Sequence, residues 1–335
     1  MDYRLFGPQA LNGEYVFGEI DSADGLAIDH TISVLPPKKV INPQKEELLS
    51  IDGEKEIIKP IYDNQPTVVL GAHTCDLYSI ILLDRAFMRG NPDQHYASRR
   101  ENTIFVSIEC LKPCSEFSFC RDLGTWSHPE EYDLHLTDLG DAYAIDVGSE
   151  KGERLIRKFG AIRDAGEQEY KLLNKVLLEK RQQFPYRLLV EADVLPSLFA
   201  LSYQSEIWEE VGDRCLGCGI CTLVCPTCYC FNVLDEVDFS LRSGKRYRLW
   251  DSCQLNEFAL TASGVDFRGS QAERQRHRFY RKYKYQTEAH GIGGCVGCGR
   301  CSKDCIVDIS VIEVINQLYS RSRAVDLNRD GSPRQ

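Results

Sequence analysis

No apolar run in the 335-residue chain approaches the ~18 residues that a membrane-spanning helix requires. The opening MDYRLFGPQALNG has neither a basic n-region nor an apolar h-region, so no secretory signal is expected. Positive charge is also short: 40 Lys and Arg face 50 Asp and Glu, for a net charge of −10. Such a balance lacks the basic footprint that neutralises phosphates and argues against nucleic acid as the main partner. Repeats of roughly 20 to 50 residues are absent too. These absences together predict a soluble, cytoplasmic protein with neither nucleic-acid nor membrane partners.

What is present in excess is cysteine. Fifteen thiols in a chain without a secretory signal exceed what packing needs, and in reducing compartments clustered thiolates usually serve metals or redox chemistry. Their odd number and tight clustering make a disulfide framework the weaker reading. The 43% hydrophobic content is ordinary for a globular protein and allows one large domain plus a smaller one.

The first part of the chain alternates strand and helix signals. QPTVVLGA reads as a buried strand, Asp76 caps the helical pattern DLYSIILLDRAFMR, and Cys75 falls in the intervening turn. TIFVSI is a second strand that leads into Cys110. Tyr132 to Leu139 and Asp141 to Gly148 alternate around Gly140 as a hairpin, and two helices broken near Gly160 to Gly166 follow. Leu195, Leu198, Phe199, Ile207, Trp208 and Val211 recur at helical spacing and predict a core-facing helix entering the first cysteine block. The expected class is α+β: a mixed α/β domain over 1–193, then a helical ferredoxin-like dicluster domain over 194–335.

Residues 215 to 226 read CLGCGICTLVCP and residues 295 to 306 read CVGCGRCSKDCI, two copies of the CxxCxxCxxxC run of bacterial ferredoxins. Three thiolates at CxxCxxC spacing wrap one face of an iron-sulfur cube, and the fourth, on the exiting segment, ligates the other cube in two-cluster ferredoxins. One [4Fe-4S] cluster is therefore assigned to Cys215, Cys218, Cys221 and Cys305. The other is assigned to Cys295, Cys298, Cys301 and Cys225. Zinc, the competing reading, uses two separated CxxC pairs around one ion rather than four thiols in such a run, twice.

Ile306 stands where such motifs normally place a proline, so the second exit turn is not preset. The long gap between the blocks is expected to hold inserted helices rather than a single loop. Within it, Cys228, Cys230 and Cys253 either form a further site or pack beside the cubes. Cys75, Cys110, Cys114 and Cys120 suffice for a third cluster, with buried thiols as the alternative. The run FRGSQAERQRHRFYRKYKY, with Arg268, Arg274, Arg276, Arg278, Arg281, Lys282 and Lys284, reads as a solvated helix face or a docking patch for an acidic partner.

GAHTCDL at Gly71, YASRRENT at Tyr96, GSEKG at Gly148, CLGCGICTLVCPTCYCF, WDSC and GCVGCGRC recur in the order found in the 4Fe-4S dicluster family, which the chain resembles from about Gly71 to Ile309. That family contains the beta subunits of cytoplasmic sulfhydrogenases, which are nickel-iron hydrogenases, and one of the subunits of anaerobic sulfite reductase. The resemblance implies an electron conduit between a flavin subunit that handles NAD(P)H and a hydrogenase or sulfite reductase catalytic subunit. Relatives end with Cys-Phe-Cys the stretch that here reads Ser118, Phe119 and Cys120, so Cys114 stands as the substitute ligand.

Three functions compete: an electron-transfer subunit without turnover of its own, a catalytic oxidoreductase, and an iron-sulfur regulator. No nickel-iron, sirohaem or dinucleotide motif favours catalysis. Tyr96, Arg99 and Arg100 could form an anion pocket for it, although adjacent arginines are more often structural. A regulator would need a basic DNA-reading element that the chain lacks.

Overall fold

The computed structural model describes residues 3–330, and contacts divide the chain into two units, each drawn from separate stretches. The first comprises Met1–Pro113, Trp126–Phe184 and Pro226–Asp251. The second comprises Cys114–Thr125, Pro185–Cys225 and Ser252–Gln335.

Among the described residues the first unit carries ten strands: β1 (Arg4–Leu11), β2 (Glu14–Glu19), β3 (Lys45–Asp52), β4 (Ile57–Pro60), β5 (Thr67–His73), β6 (Thr103–Ile108), β7 (Leu134–Asp138), β8 (Tyr143–Val147), β9 (Phe231–Val237) and β10 (Ser243–Trp250). Six of them form a sheet in the order β2-β1-β5-β6-β7-β8. Its four central strands run parallel, with antiparallel edges. Parallel strands covered on both faces have no use for polar alternation. TVVLGAH and TIFVSI accordingly contain no exposed residue.

One face of this sheet packs against α1 (Thr74–Met88) and α2 (Gln94–Glu101), where Val69, Ala72 and Phe105 meet Leu77, Ile80, Leu83 and Tyr96. Val68, Ile104, Val106 and Leu134 on the other face meet Leu155 and Ile156 of α3 (Glu150–Phe159). After α3 the chain breaks as the glycines suggested, and α4 spans Glu167–Gln183. Helix α1 starts earlier than expected. His73 is its N-cap, and the Asp76 carboxylate accepts from the His73 N–H at 3.3 Å from inside the first turn, so Cys75 lies within the helix.

β3, β4, β9 and β10 form a separate antiparallel sheet in the order β4-β3-β10-β9. The segment between the cysteine blocks therefore supplies a β-hairpin as well as helices. Glu46 of β3 is buried between Arg99 and Arg248, the latter donating at 3.1 Å from Nε and also pairing with Asp93. A carboxylate so placed is tolerable only with its partners, and removing one costs about 3–5 kcal/mol. Arg100 and the Tyr96 hydroxyl both bind Asp84, at 3.0 and 2.6 Å. With Arg99 on Glu46 and Arg100 on Asp84, the anion-pocket reading gives way to structural ion pairs.

The second unit is helical: α5 (Leu195–Leu201), α6 (Ile207–Arg214), α7 (Ile220–Leu223), α8 (Gln271–Tyr280), α9 (Gln286–His290), α10 (Arg300–Lys303) and α11 (Val311–Asp330). A π-helical turn, Arg281–Tyr285, joins α8 to α9. The predicted apolar stripe is buried in full but divides between α5 and α6, where the Trp208 indole N–H donates to the Ser202 carbonyl at 2.8 Å. Those residues join Phe279, Tyr280 and Tyr283 in one core, closed by Val314, Ile315 and Leu318 of α11. Among the described residues, no helix is long and apolar enough to cross a membrane.

Candidate metal centre

Both cysteine runs fold into the same local structure. Gly217 and Gly297 take φ of 65° and 63°, and Gly219 and Gly299 both take 81°, so each chain turns through the left-handed region twice before its short helix, α7 or α10. The amides of Gly217 and Gly297 each donate to the first sulfur of their run, Cys215 or Cys295, at 3.4 Å. The last cysteines, Cys225 and Cys305, each donate their N–H at 3.3 Å to Thr222 and Ser302. Helices α7 and α10 pack against each other, which brings the two loops face to face.

The exits differ. Pro226 follows the first run, whereas after Ile306 the second turns through Asp308, held left-handed at φ 53°, and Ile309 donates its N–H back to Cys305 Sγ at 3.3 Å. Arg214, immediately before Cys215, reaches across to the carbonyls of Val307 and Asp308 at 3.2 and 2.6 Å. The entry of one run is thereby tied to the exit of the other.

Cys215, Cys218, Cys221 and Cys305 line one cavity together with Cys301, and Gln275 and Arg278 stand in its wall. Cys225 lies within electrostatic reach of Cys295 and Cys298. Burial pushes the Cys221 and Cys298 thiols up to about 12 and Cys295 up to about 11, so without metal they hold their protons at neutral pH. Two buried guanidiniums oppose that trend, Arg278 toward Cys221 and Arg300 toward Cys298. An uncharged core would gain nothing from burying them. An anionic centre built on thiolates would.

The donor set distinguishes a cluster from a single ion. Thiolates on one zinc at ~2.3 Å lie about 3.8 Å apart. Among the described residues, no three of these eight sulfurs lie within 4.8 Å of one another. Thiols facing a common cavity at wider spacing fit a multi-iron cube, as do the amide donors directed at sulfur.

The remaining cysteines divide between the units. Cys75 opens α1 and Cys110 follows β6 in the first unit, whereas Cys114 and Cys120 belong to the Cys114–Thr125 segment of the second. His73, at the end of β5, places a ring nitrogen within 4.8 Å of Cys110 Sγ; only the pairing of β5 with β6 could have disclosed that. The Cys114–Thr125 segment lies along the second run: Phe119 N–H donates to Gly297 O at 2.8 Å and Thr125 Oγ1 to Val296 O at 2.6 Å. Ser118 is buried, accepting from Ser115 N–H at 3.1 Å. Cys228 and Cys230 fall in the first unit, and buried Cys253 is close enough to Cys221 to influence it.

The basic run is not a fully solvated helix face. Arg274, Arg278 and Lys282 are buried, and Arg268, Arg276, Arg281 and Lys284 are half-buried. Arg274 shows why: it donates to the carbonyls of Arg268 and Gly269 at 2.9 and 3.0 Å, besides Asn256 and Asp266.

This fold and these paired loops define an iron-sulfur protein, and residues 214–309 match the family model of the 4Fe-4S dicluster domain. Sulfhydrogenase 2 subunit beta of Pyrococcus furiosus is 34% identical over 323 residues, covering 94% of this chain and 92% of that protein. The chain belongs to the 4Fe-4S dicluster family that includes this beta subunit, and is an iron-sulfur electron-transfer protein. No solved structure matches it.

Proposed function

We propose that the chain is the electron-transfer subunit of a multi-subunit oxidoreductase, placed between a flavin-bearing partner for NAD(P)H and a hydrogenase-type catalytic partner. One [4Fe-4S] cluster is held by Cys215, Cys218, Cys221 and Cys305, the other by Cys295, Cys298, Cys301 and Cys225. The observation that carries this reading is the cavity in which Cys305, with Cys301 beside it, faces the first three cysteines of the opposite run. When bound, the clusters supply one-electron donor and acceptor chemistry. The chain's own residues hold the thiolates in place, direct N–H groups at sulfur and offset negative charge with Arg278 and Arg300.

The partners follow from the relative's name, a subunit of a sulfhydrogenase. Turnover belongs to them. A third cluster on Cys75, Cys110, Cys114 and Cys120 is part of the proposal, supported by Cys75 opening the helix that follows β5 and Cys110 following the neighbouring strand β6.

Anaerobic copurification with iron and sulfide counting tests all of this. About 8 iron atoms per chain mean two clusters and about 12 mean three. A flavoprotein and a nickel-iron protein are expected in the same fraction. Colourless protein without labile sulfide would refute the ligand assignment, and a fully metallated chain that is always solitary would refute the subunit reading.

A further inference from the structure

The segment between the two cysteine runs touches both, and it does so at equivalent points. Helix α8 opens with a capping box, Ser270 accepting from Glu273 N–H at 3.2 Å. It lies backbone to backbone on α6: a Cβ on Gly212 would fall 2.6 Å from Ala272 N. That approach fixes α8 against the entry to the first run, since α6 ends at Arg214 beside Cys215. One turn further along, Gln275, 3% exposed, donates from Nε2 to Cys215 Sγ at 3.0 Å. Its Oε1 is buried without a hydrogen-bond partner. A buried amide with one end unsatisfied is costly, so the bond to sulfur is what its burial serves.

The π-helical turn then re-aims the helix face, as such turns often do at functional sites. Its Lys282 carbonyl accepts from Gly294 N–H at 2.9 Å, one residue before Cys295. The next residue, Tyr283, is buried, and its ring stacks on Phe199 at 5.1 Å and 16°. So oriented, its hydroxyl lies within hydrogen-bonding reach of Cys295 Sγ. Gln275 and Tyr283 thus contact the first cysteine of each run.

A hydrogen bond to a ligand sulfur favours the reduced, more negative cluster and raises its potential. We propose that Gln275 and Tyr283 are positioning residues that set the two cluster potentials separately, one through Cys215 and the other through Cys295. The proposal rests on the ligand assignment given above, which iron content tests independently.

The experiment is an EPR-monitored redox titration of the anaerobically purified full chain. Gln275→Met keeps the bulk and removes the donor; Tyr283→Phe removes one oxygen. Each is expected to lower one couple only, and not the same one, so that its reduced-to-oxidised ratio at fixed poise falls about tenfold, or about 59 mV for one electron. Gln275→His retains an N–H donor and is expected to restore most of the shift. Unmoved couples in variants with full iron would overturn the proposal. So would both variants lowering the same couple, or iron loss in Gln275→Met and Gln275→His alike, which would make Gln275 part of the scaffold. Wild-type protein with fewer than about 8 iron atoms would instead overturn the ligand assignment beneath it.

Discussion

The two cysteine runs share a backbone and differ in what surrounds it. Leu216 and Val296 occupy the same place in their motifs, yet Leu216 is 62% exposed and Val296 only 4%. Cys218 is exposed as well, whereas its counterpart Cys298 is half-buried. The second run is covered by the Cys114–Thr125 segment, whose Phe119 N–H and Thr125 hydroxyl bond its backbone carbonyls; the first faces the Ser252 side chain and open surface. A motif of this kind fixes which atoms bind metal. Solvent exposure and nearby donors, supplied from elsewhere in the chain, then decide how two equivalent sites diverge.

The strongest test of this comparison removes the exchanged ligands. Cys305→Ser is expected to reproduce the loss caused by Cys215→Ser, although Cys305 belongs to the other run, and Cys225→Ser that caused by Cys295→Ser. Each should remove up to about 4 iron atoms. Matching residual EPR signals within each pair would confirm the exchange; a Cys305→Ser protein resembling Cys295→Ser would refute it.

Smaller effects separate the surroundings. A Cβ on Gly299 would lie 2.7 Å from Phe117 backbone carbon, and on Gly219 2.9 Å from Ser252 Oγ. Both substitutions strain a left-handed residue by about 1–2 kcal/mol, but overpacking adds about 1–3 kcal/mol where backbone must move. Gly299→Ala should therefore destabilise more than Gly219→Ala, and equal losses in thermal unfolding would contradict a rigid clamp over the second run.

Arg214→Ala removes the solvent-exposed tie to Val307 and Asp308 and is expected to cost about 0.5–1.5 kcal/mol, read as a lower denaturation midpoint. Asp308→Gly relieves a left-handed aspartate and should be neutral or stabilising by up to about 1 kcal/mol. A loss above that would assign the Asp308 carboxylate a role beyond turn geometry.

Much of this was legible in the sequence, because the features concerned are local. The cysteine spacing, the buried strands β5 and β6, the β7–β8 hairpin and the apolar stripe of α5 and α6 all declare themselves within short windows. What stayed hidden depends on distant partners. Charge alone marked Arg274 as a surface residue, since the carbonyls that satisfy it become acceptors only once the loop before α8 folds back. Strand β10 pairs with β3 from the opposite end of the chain, so the segment expected to be helical gave no local sign of its sheet. Tyr283 reads as one aromatic in a basic stretch until the π turn directs it at sulfur. Asp308 hides a left-handed turn that glycine would have advertised.

The clamp of Phe119 on Gly297 also has a consequence for biogenesis. A ribosome that has released only the first run presents thiols with no opposite loop to close on, while the strip that will cover the second run waits far upstream. Iron and sulfide delivered to such a nascent chain would meet half a nest. On the ligand assignment proposed above, neither cube can be completed before the second run is in place, and a product cut off between the runs would lack ligands to both.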